Sequence, residues 1–183
     1  MNFYSDKIME DLSLEDRETF IYQCKYILTK FSINVIYHKY TNFLLDDPDI
    51  TIALYCFDNE FDIYNCPSAL VYRKVVEESC ICYYILFTCT KRSFRGQGYA
   101  SRLLDELKQR IKEENNNTVV PVKIILSSIE DAVTFYEDYG FRWTRQSIKD
   151  YPILMKYEFY EKNKEYFILE YVFPTEQTRL TDL

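Results

Sequence analysis

The sequence predicts one α+β domain, a mixed β-sheet flanked by helices. Three β-rich runs follow one another between residues 51 and 90, and two well-marked amphipathic helices come after them, separated by a short apolar run. No repeat, low-complexity tract or Pro/Gly/Ser linker divides the 183 residues, so residues 1–183 are read as a single domain. A composition that is 48% hydrophobic supplies a full core for that length.

From Ser13 onward, Phe20, Ile21, Cys24, Ile27, Leu28 and Phe31 recur at helical steps, with Ser13 and Asp16 suited to a capped start. Residues 33–47 show no clear period and fit a second helix or an irregular segment. Thr51 to Phe57, Ala69 to Val76 and Ser79 to Thr90 read as strands by their Val, Ile, Tyr, Phe and Thr content, with Glu77 and Glu78 as a hairpin turn. Leu103, Leu104, Leu107 and Ile111 form the stripe of a helix running from Tyr99 to Glu114, and Asn115-Asn116-Asn117 follows as a loop. Val122 to Leu126 suits a strand buried on both faces. Ser127 to Phe141 reads as a helix opened by a Ser127/Glu130 capping box and closed by Gly140 in a left-handed C-cap. Trp143 to Arg145, Ile153 to Tyr160 and Tyr166 to Phe173 are expected as further strands.

The first thirty residues lack the cationic start and apolar stretch of a secretory signal, and the longest apolar run, Cys80 to Cys89, is strand-sized. An intracellular, cytoplasmic protein without a membrane span is therefore expected. The six cysteines are read as reduced thiols, and a metal site is not expected because His38 is the only histidine to join them.

Net charge is −7 but uneven. Thr90 to Lys112 holds seven basic residues against two acids, about +5, which leaves about −12 for the rest. Within this basic island lies Arg95-Gly96-Gln97-Gly98, two of the three glycines in the whole chain, between a strand and a helix. The first amides of such a helix have no intrahelical partner, its dipole adds positive potential, and glycine lets an anion approach the backbone. A phosphate or pyrophosphate is the natural occupant, with Lys91, Arg92 and Arg95 adding charge-assisted hydrogen bonds. The dinucleotide fingerprint fails because Ser101 stands where its third glycine belongs, and no Walker loop exists in the chain.

Arg95-Gly96-Gln97-Gly98-Tyr99-Ala100 resembles the pyrophosphate motif [RQ]-x-x-G-x-[GA] of the GNAT superfamily of acetyl-CoA-dependent N-acetyltransferases. Ala132, Phe135, Tyr136, Glu137, Gly140 and Phe141 are similar to the family's second motif, A-x-x-[FL]-Y-E-x-x-G-F. The resemblance covers roughly residues 50 to 145. Ile129 stands where many members carry asparagine, so a polar contact near the cofactor is either missing or supplied by Ser127 or Ser128, and the first strand usual in the family is not evident in residues 1 to 12.

The resemblance implies a three-layer α/β arrangement with a centrally splayed sheet and acetyl-CoA as acyl donor. It implies that the pantetheine arm pairs with backbone at Thr88, Cys89 and Thr90, and that Arg95, Gly96, Gln97, Gly98, Tyr99, Ala100 and Ser101 hold the diphosphate. It implies Tyr136 as the acid that protonates the departing thiolate. The base stays open: no acid lies between Ser79 and Cys89, so a water chain, a carboxylate of the acidic N-terminal region, Tyr83 or Tyr84 are the alternatives. Cys89 raises an acyl-cysteine route, against which stands the absence of a nearby histidine.

The expected acceptor is a primary amine, a polyamine or other cationic small molecule or a protein lysine, drawn to an acidic rim of Asp46, Asp47, Asp49, Asp58, Glu60, Asp62, Glu158, Glu161 and Glu165. That acidity argues against nucleic-acid partners, the lack of a long apolar run against a membrane partner, and homodimer formation is left open. The rival reading is a catalytically inactive acyl-CoA sensor or protein-interaction module.

Overall fold

The computed structural model describes residues 2–5, 10–31, 38–57, 65–158 and 162–174. In chain order its elements are β1 (Asn2–Ser5), α1 (Leu14–Phe31), α2 (His38–Leu45), β2 (Ile50–Tyr55), β3 (Ser68–Val76), β4 (Ile81–Thr90), α3 (Tyr99–Glu114), β5 (Val122–Ser128), α4 (Glu130–Asp138), β6 (Arg142–Trp143), α5 (Pro152–Glu158) and β7 (Phe167–Val172). The strands hydrogen-bond in the order β1-β2-β3-β4-β5-β7-β6. The sheet is mixed: β4 and β5 run parallel, whereas β1–β2, β2–β3, β5–β7 and β6–β7 are antiparallel. The β4–β5 register ends at Ile85↔Leu126, although β4 continues to Thr90 and β5 to Ser128.

Two compact units divide the chain. The first comprises Met1–Arg73 and Phe87–Arg110. In it α1 starts as the sequence predicts, with the Asp16 N–H donating to Ser13 Oγ (3.1 Å) and that hydroxyl donating back to the Asp16 carboxylate (2.6 Å). The ambiguous stretch contains α2, where Thr41 and Leu44 are buried, and residues 32–37 lie outside the described residues. Alternation fails along β2 and β3 because Ile52, Ala53 and Leu54, like Ala69, Leu70, Val71 and Tyr72, are all buried. Both faces of these strands are covered, so the pattern is a continuous apolar run.

The second unit comprises Lys74–Leu86 and Ile111–Leu183. The β3–β4 hairpin closes in it, with Glu77 N–H donating to Cys80 O at 2.9 Å. β5 is buried at Val122, Ile124, Ile125 and Leu126, and β7 at Ile168 and Leu169. Gly140 takes φ +83° and Phe141 N–H donates to Tyr136 O (3.1 Å), so α4 ends in the expected left-handed cap with Phe141 buried.

Three expectations need correction. β1 exists: Asn2–Ser5 pairs with Thr51–Leu54 of β2, a four-residue strand too short to show a period. The Ser127/Glu130 capping box does not form, because Ser127 and Ser128 stay in β5 opposite Ile168 and Phe167. Ile129 becomes the N-cap of α4 without a side-chain cap bond, and the Ser128 hydroxyl donates to Ile129 O. The expected strand Ile153–Tyr160 is instead helix α5 as far as Glu158, and residues 159–161 lie outside the described residues. Pro152 occupies the first helical position, where its missing N–H costs nothing, and Ile148, Tyr151, Leu154 and Tyr157 are buried at three-residue steps.

No described helix is long and apolar enough to cross a membrane.

Candidate functional site

In the first unit the end of β4 leads through a short 3-10 turn, Arg92–Phe94, into Arg95–Gly98 and α3. The entry is fixed by backbone and side-chain bonds: Lys91 N–H donates to Pro67 O (2.8 Å), Arg95 Nε to Thr90 O (3.1 Å) and Gln97 Nε2 to Ser93 O (3.2 Å). Arg95, Gly96, Gln97 and Gly98 are all exposed. Gly96 and Gly98 take φ of +74° and +79°, a region that costs an L-residue about 1–2 kcal/mol. A Cβ built at either glycine meets nothing within 4 Å, so both positions border open space.

α3 makes its first helical bond from Arg102 N–H to Gly98 O (3.0 Å), so the amides of Tyr99, Ala100 and Ser101 precede it and are available to an anion. Leu103, Leu104 and Leu107 anchor the helix in the core and fix the direction in which its N-terminus points.

The strand residues are sorted by backbone direction. Ser68 Oγ donates to Cys89 O (2.8 Å), and the Lys91 N–H also turns toward the start of β3. In an antiparallel pair alternate residues face the partner, so Cys89 faces β3 while Thr88 and Thr90 present their backbone to the opposite edge. Cys89 is thus already engaged and is the least suited of the three to pair with a cofactor arm. Thr88 Oγ1 is buried with no hydrogen-bond partner, a cost in the free protein that a polar ligand group would remove. Burial pushes the Cys89 thiol up to about 12, leaving it protonated and a poor nucleophile near neutrality.

All six cysteines are free. Among the described residues no three His, Cys, Asp or Glu side chains are arranged to hold a metal ion.

The second unit contains Tyr136, on α4 and half-buried, with its ring 5.1 Å from Phe135 and 5.6 Å from Phe141. The two tyrosines considered as bases are also in this unit. Tyr83 donates to Glu114 (3.0 Å) and accepts from Asn115 (2.9 Å), and burial raises its pKa. Burial also pushes Tyr84 up. Both hydroxyls therefore stay protonated near neutrality, which leaves little phenolate to accept a proton.

The described residues show part of the acidic rim. Asp47 and Asp49 both pair with Arg73, at 3.3 and 2.6 Å, whereas Asp58, Glu60, Asp62 and Glu161 lie outside the described residues. Glu158, at the end of α5, has its carboxyl pushed up by burial, against a smaller opposing pull from Lys164.

Residues 74–155 match the family model for the acetyltransferase (GNAT) domain. Among solved structures the chain is similar to Tetrahymena GCN5, at 13% identity over 85% of this chain and 88% of that one, with a TM-score of 0.59. It is similar to Arabidopsis thaliana Naa50 in complex with the bisubstrate analogue CoA-Ac-MVNAL, at 18% identity over 94% and 98% of the two chains, TM-score 0.56. It is also similar to the ribosomal-protein-S18-alanine N-acetyltransferase of Escherichia coli, at 12% identity over 96% of each chain, TM-score 0.57. No curated protein sequence matches the chain.

Proposed function

We propose that the chain, whose residues 74–155 match the model of the acetyltransferase (GNAT) domain, transfers an acetyl group from acetyl-CoA to a primary amine by direct attack in a ternary complex. The observation that carries this reading is the turn into α3. Two left-handed glycines border open space there, and three helix amides precede the first helical bond beside Arg95. In the proposal the diphosphate of the donor lies on Arg95–Ser101. The backbone of Thr88 and Thr90 receives the pantetheine arm as an added strand, and the Thr88 hydroxyl gains a partner.

An attacking amine must reach the thioester as the free base, and the departing thiolate leaves more readily when protonated. We assign the second role to Tyr136, on the strength of its position in the Phe135-Tyr136-Glu137 string. Backbone N–H groups that stabilise the developing oxyanion supply the remaining chemistry. The reaction balances as amine plus thioester giving amide plus free thiol.

The acceptor is a cationic small molecule such as a polyamine, or a protein amine. The peptide-bearing analogue held by the Arabidopsis protein and the ribosomal protein in the description of the bacterial enzyme support keeping protein amines in that class. The chain's net charge of −7 favours a cationic partner of either kind.

One observation favours a second reading. β4 carries no carboxylate, and burial keeps its two tyrosines protonated near neutrality, which suits an acyl-CoA-binding module without turnover. Mixing the protein with acetyl-CoA and a panel of spermidine, lysine peptides and histone tails, and following free thiol, separates the two. Thiol release above the blank supports the transferase; tight CoA binding with no release for any acceptor supports the module.

A further inference from the structure

Aromatic rings gather where α3 begins. The Tyr99 ring lies 5.2 Å from Tyr55, 5.5 Å from Phe57 and 5.8 Å from Phe94, and Phe57 lies 5.4 Å from Phe94. Core packing accounts for part of this cluster but leaves Phe57 46% exposed, a large apolar side chain at the surface beside the start of α3. Two cations border the rings. Arg102 stands 5.6 Å from the Tyr99 centroid and 5.9 Å from that of Tyr55, and it donates to the Tyr55 hydroxyl (3.1 Å). Lys91 Nζ stands 5.8 Å from the Phe94 centroid.

Tyr99 belongs to two features at once, since it is a member of the ring cluster and contributes one of the amides assigned to the diphosphate. A ligand reaching this patch from the diphosphate must therefore be flat and apolar on its faces and anionic at its margin. The cations disfavour an amine acceptor, and a charge of about −12 outside Thr90–Lys112 disfavours a nucleic-acid strand.

We propose that the exposed Phe57 ring, backed by Phe94 and Tyr99, stacks the adenine of coenzyme A, with Arg102 and Lys91 directed at its ribose phosphate. This rests on the donor reading above and gives a role to Phe57, Phe94, Arg102 and Lys91, which neither motif contains, beside Tyr99 of the first motif. Aromatic rings hold bases through their π-faces, and guanidinium groups bind phosphate by charge-assisted hydrogen bonds.

Calorimetry with CoA, dephospho-CoA and 4′-phosphopantetheine tests it on the wild type, Phe57→Ala, Phe57→Leu and Arg102→Gln, each checked for folding by circular dichroism. Wild type should bind CoA at least about tenfold more tightly than phosphopantetheine. Phe57→Ala and Phe57→Leu should remove most of that advantage without changing phosphopantetheine affinity, and Arg102→Gln should remove the preference for CoA over dephospho-CoA. CoA binding unchanged in a folded Phe57 variant overturns the adenine platform while leaving the diphosphate cradle intact, whereas equal wild-type affinity for CoA and phosphopantetheine, which carries a single phosphate, overturns both. A wild type that binds none of the three overturns both.

Discussion

Arg95 Nε donates to the carbonyl oxygen of Thr90 across 3.1 Å, which ties the last residue of β4 to the glycine turn. One side chain therefore both shapes the turn and brings positive charge to it. Arg95→Ala should weaken CoA binding about tenfold, the loss of one charge-assisted hydrogen bond of roughly 1.5 kcal/mol. Arg95→Lys should recover little, because an ammonium cannot keep the tie to Thr90 and offer a planar fork to phosphate. Calorimetry on both variants checks this, and a lysine variant with wild-type affinity would reduce Arg95 to a point charge.

Gly98 separates strain from occlusion. In Gly98→Ala the added Cβ meets nothing, so the cost is the left-handed backbone alone, about 1–2 kcal/mol, seen as a lowered Tm. Gly98→Glu should carry a similar stability cost and also lose CoA binding, since its carboxylate enters the space assigned to the diphosphate. Thermal melts alongside CoA titrations distinguish the two effects.

Tyr136→Phe should lower kcat by about 10²-fold or more while leaving the Kd for CoA unchanged, as expected for an acid that acts on the leaving group. Steady-state rates across pH on the variant measure this. Equal turnover at every pH would leave Tyr136 as a packing residue beside Phe135 and Phe141.

Glu158 predicts a pH dependence of stability. Burial raises its pKa in the folded state, so the protonated form is favoured there, and the contribution is full below the unfolded pKa and lost as pH rises through the folded one. Glu158→Gln, which cannot ionise, should therefore raise Tm at neutral pH and match the wild type in acid. A variant no more stable than wild type at pH 7 would show that the carboxylate has a compensating partner.

The sequence made the site more legible than the fold's margins, for physical reasons. Left-handed backbone at Gly96, Gly98 and Gly140 demands glycine, so a chain with three glycines marks those turns by composition alone. The stripe Leu103, Leu104, Leu107, Ile111 marks α3, because apolar residues at three- and four-residue steps over more than two turns fit a helical period and not a strand's. β1 was hidden because four residues make too short a pattern and their stability comes from pairing with β2. α5 was misread because Ile153, Met155 and Tyr157 alternate like a strand, while the buried series Ile148, Tyr151, Leu154, Tyr157 shows only when the preceding 3-10 turn is included. The capping box failed at Ser127 because ladder bonds to β7 held the serines that a helix start would have used. Tertiary pairing overrode a local signal.

Titration of CoA into the wild type and into Gly98→Glu, with both shown to be folded, tests the diphosphate cradle most directly. The account predicts saturable one-to-one binding by the wild type and none by the variant. Absence of binding by the wild type, or equal binding by both, would contradict it.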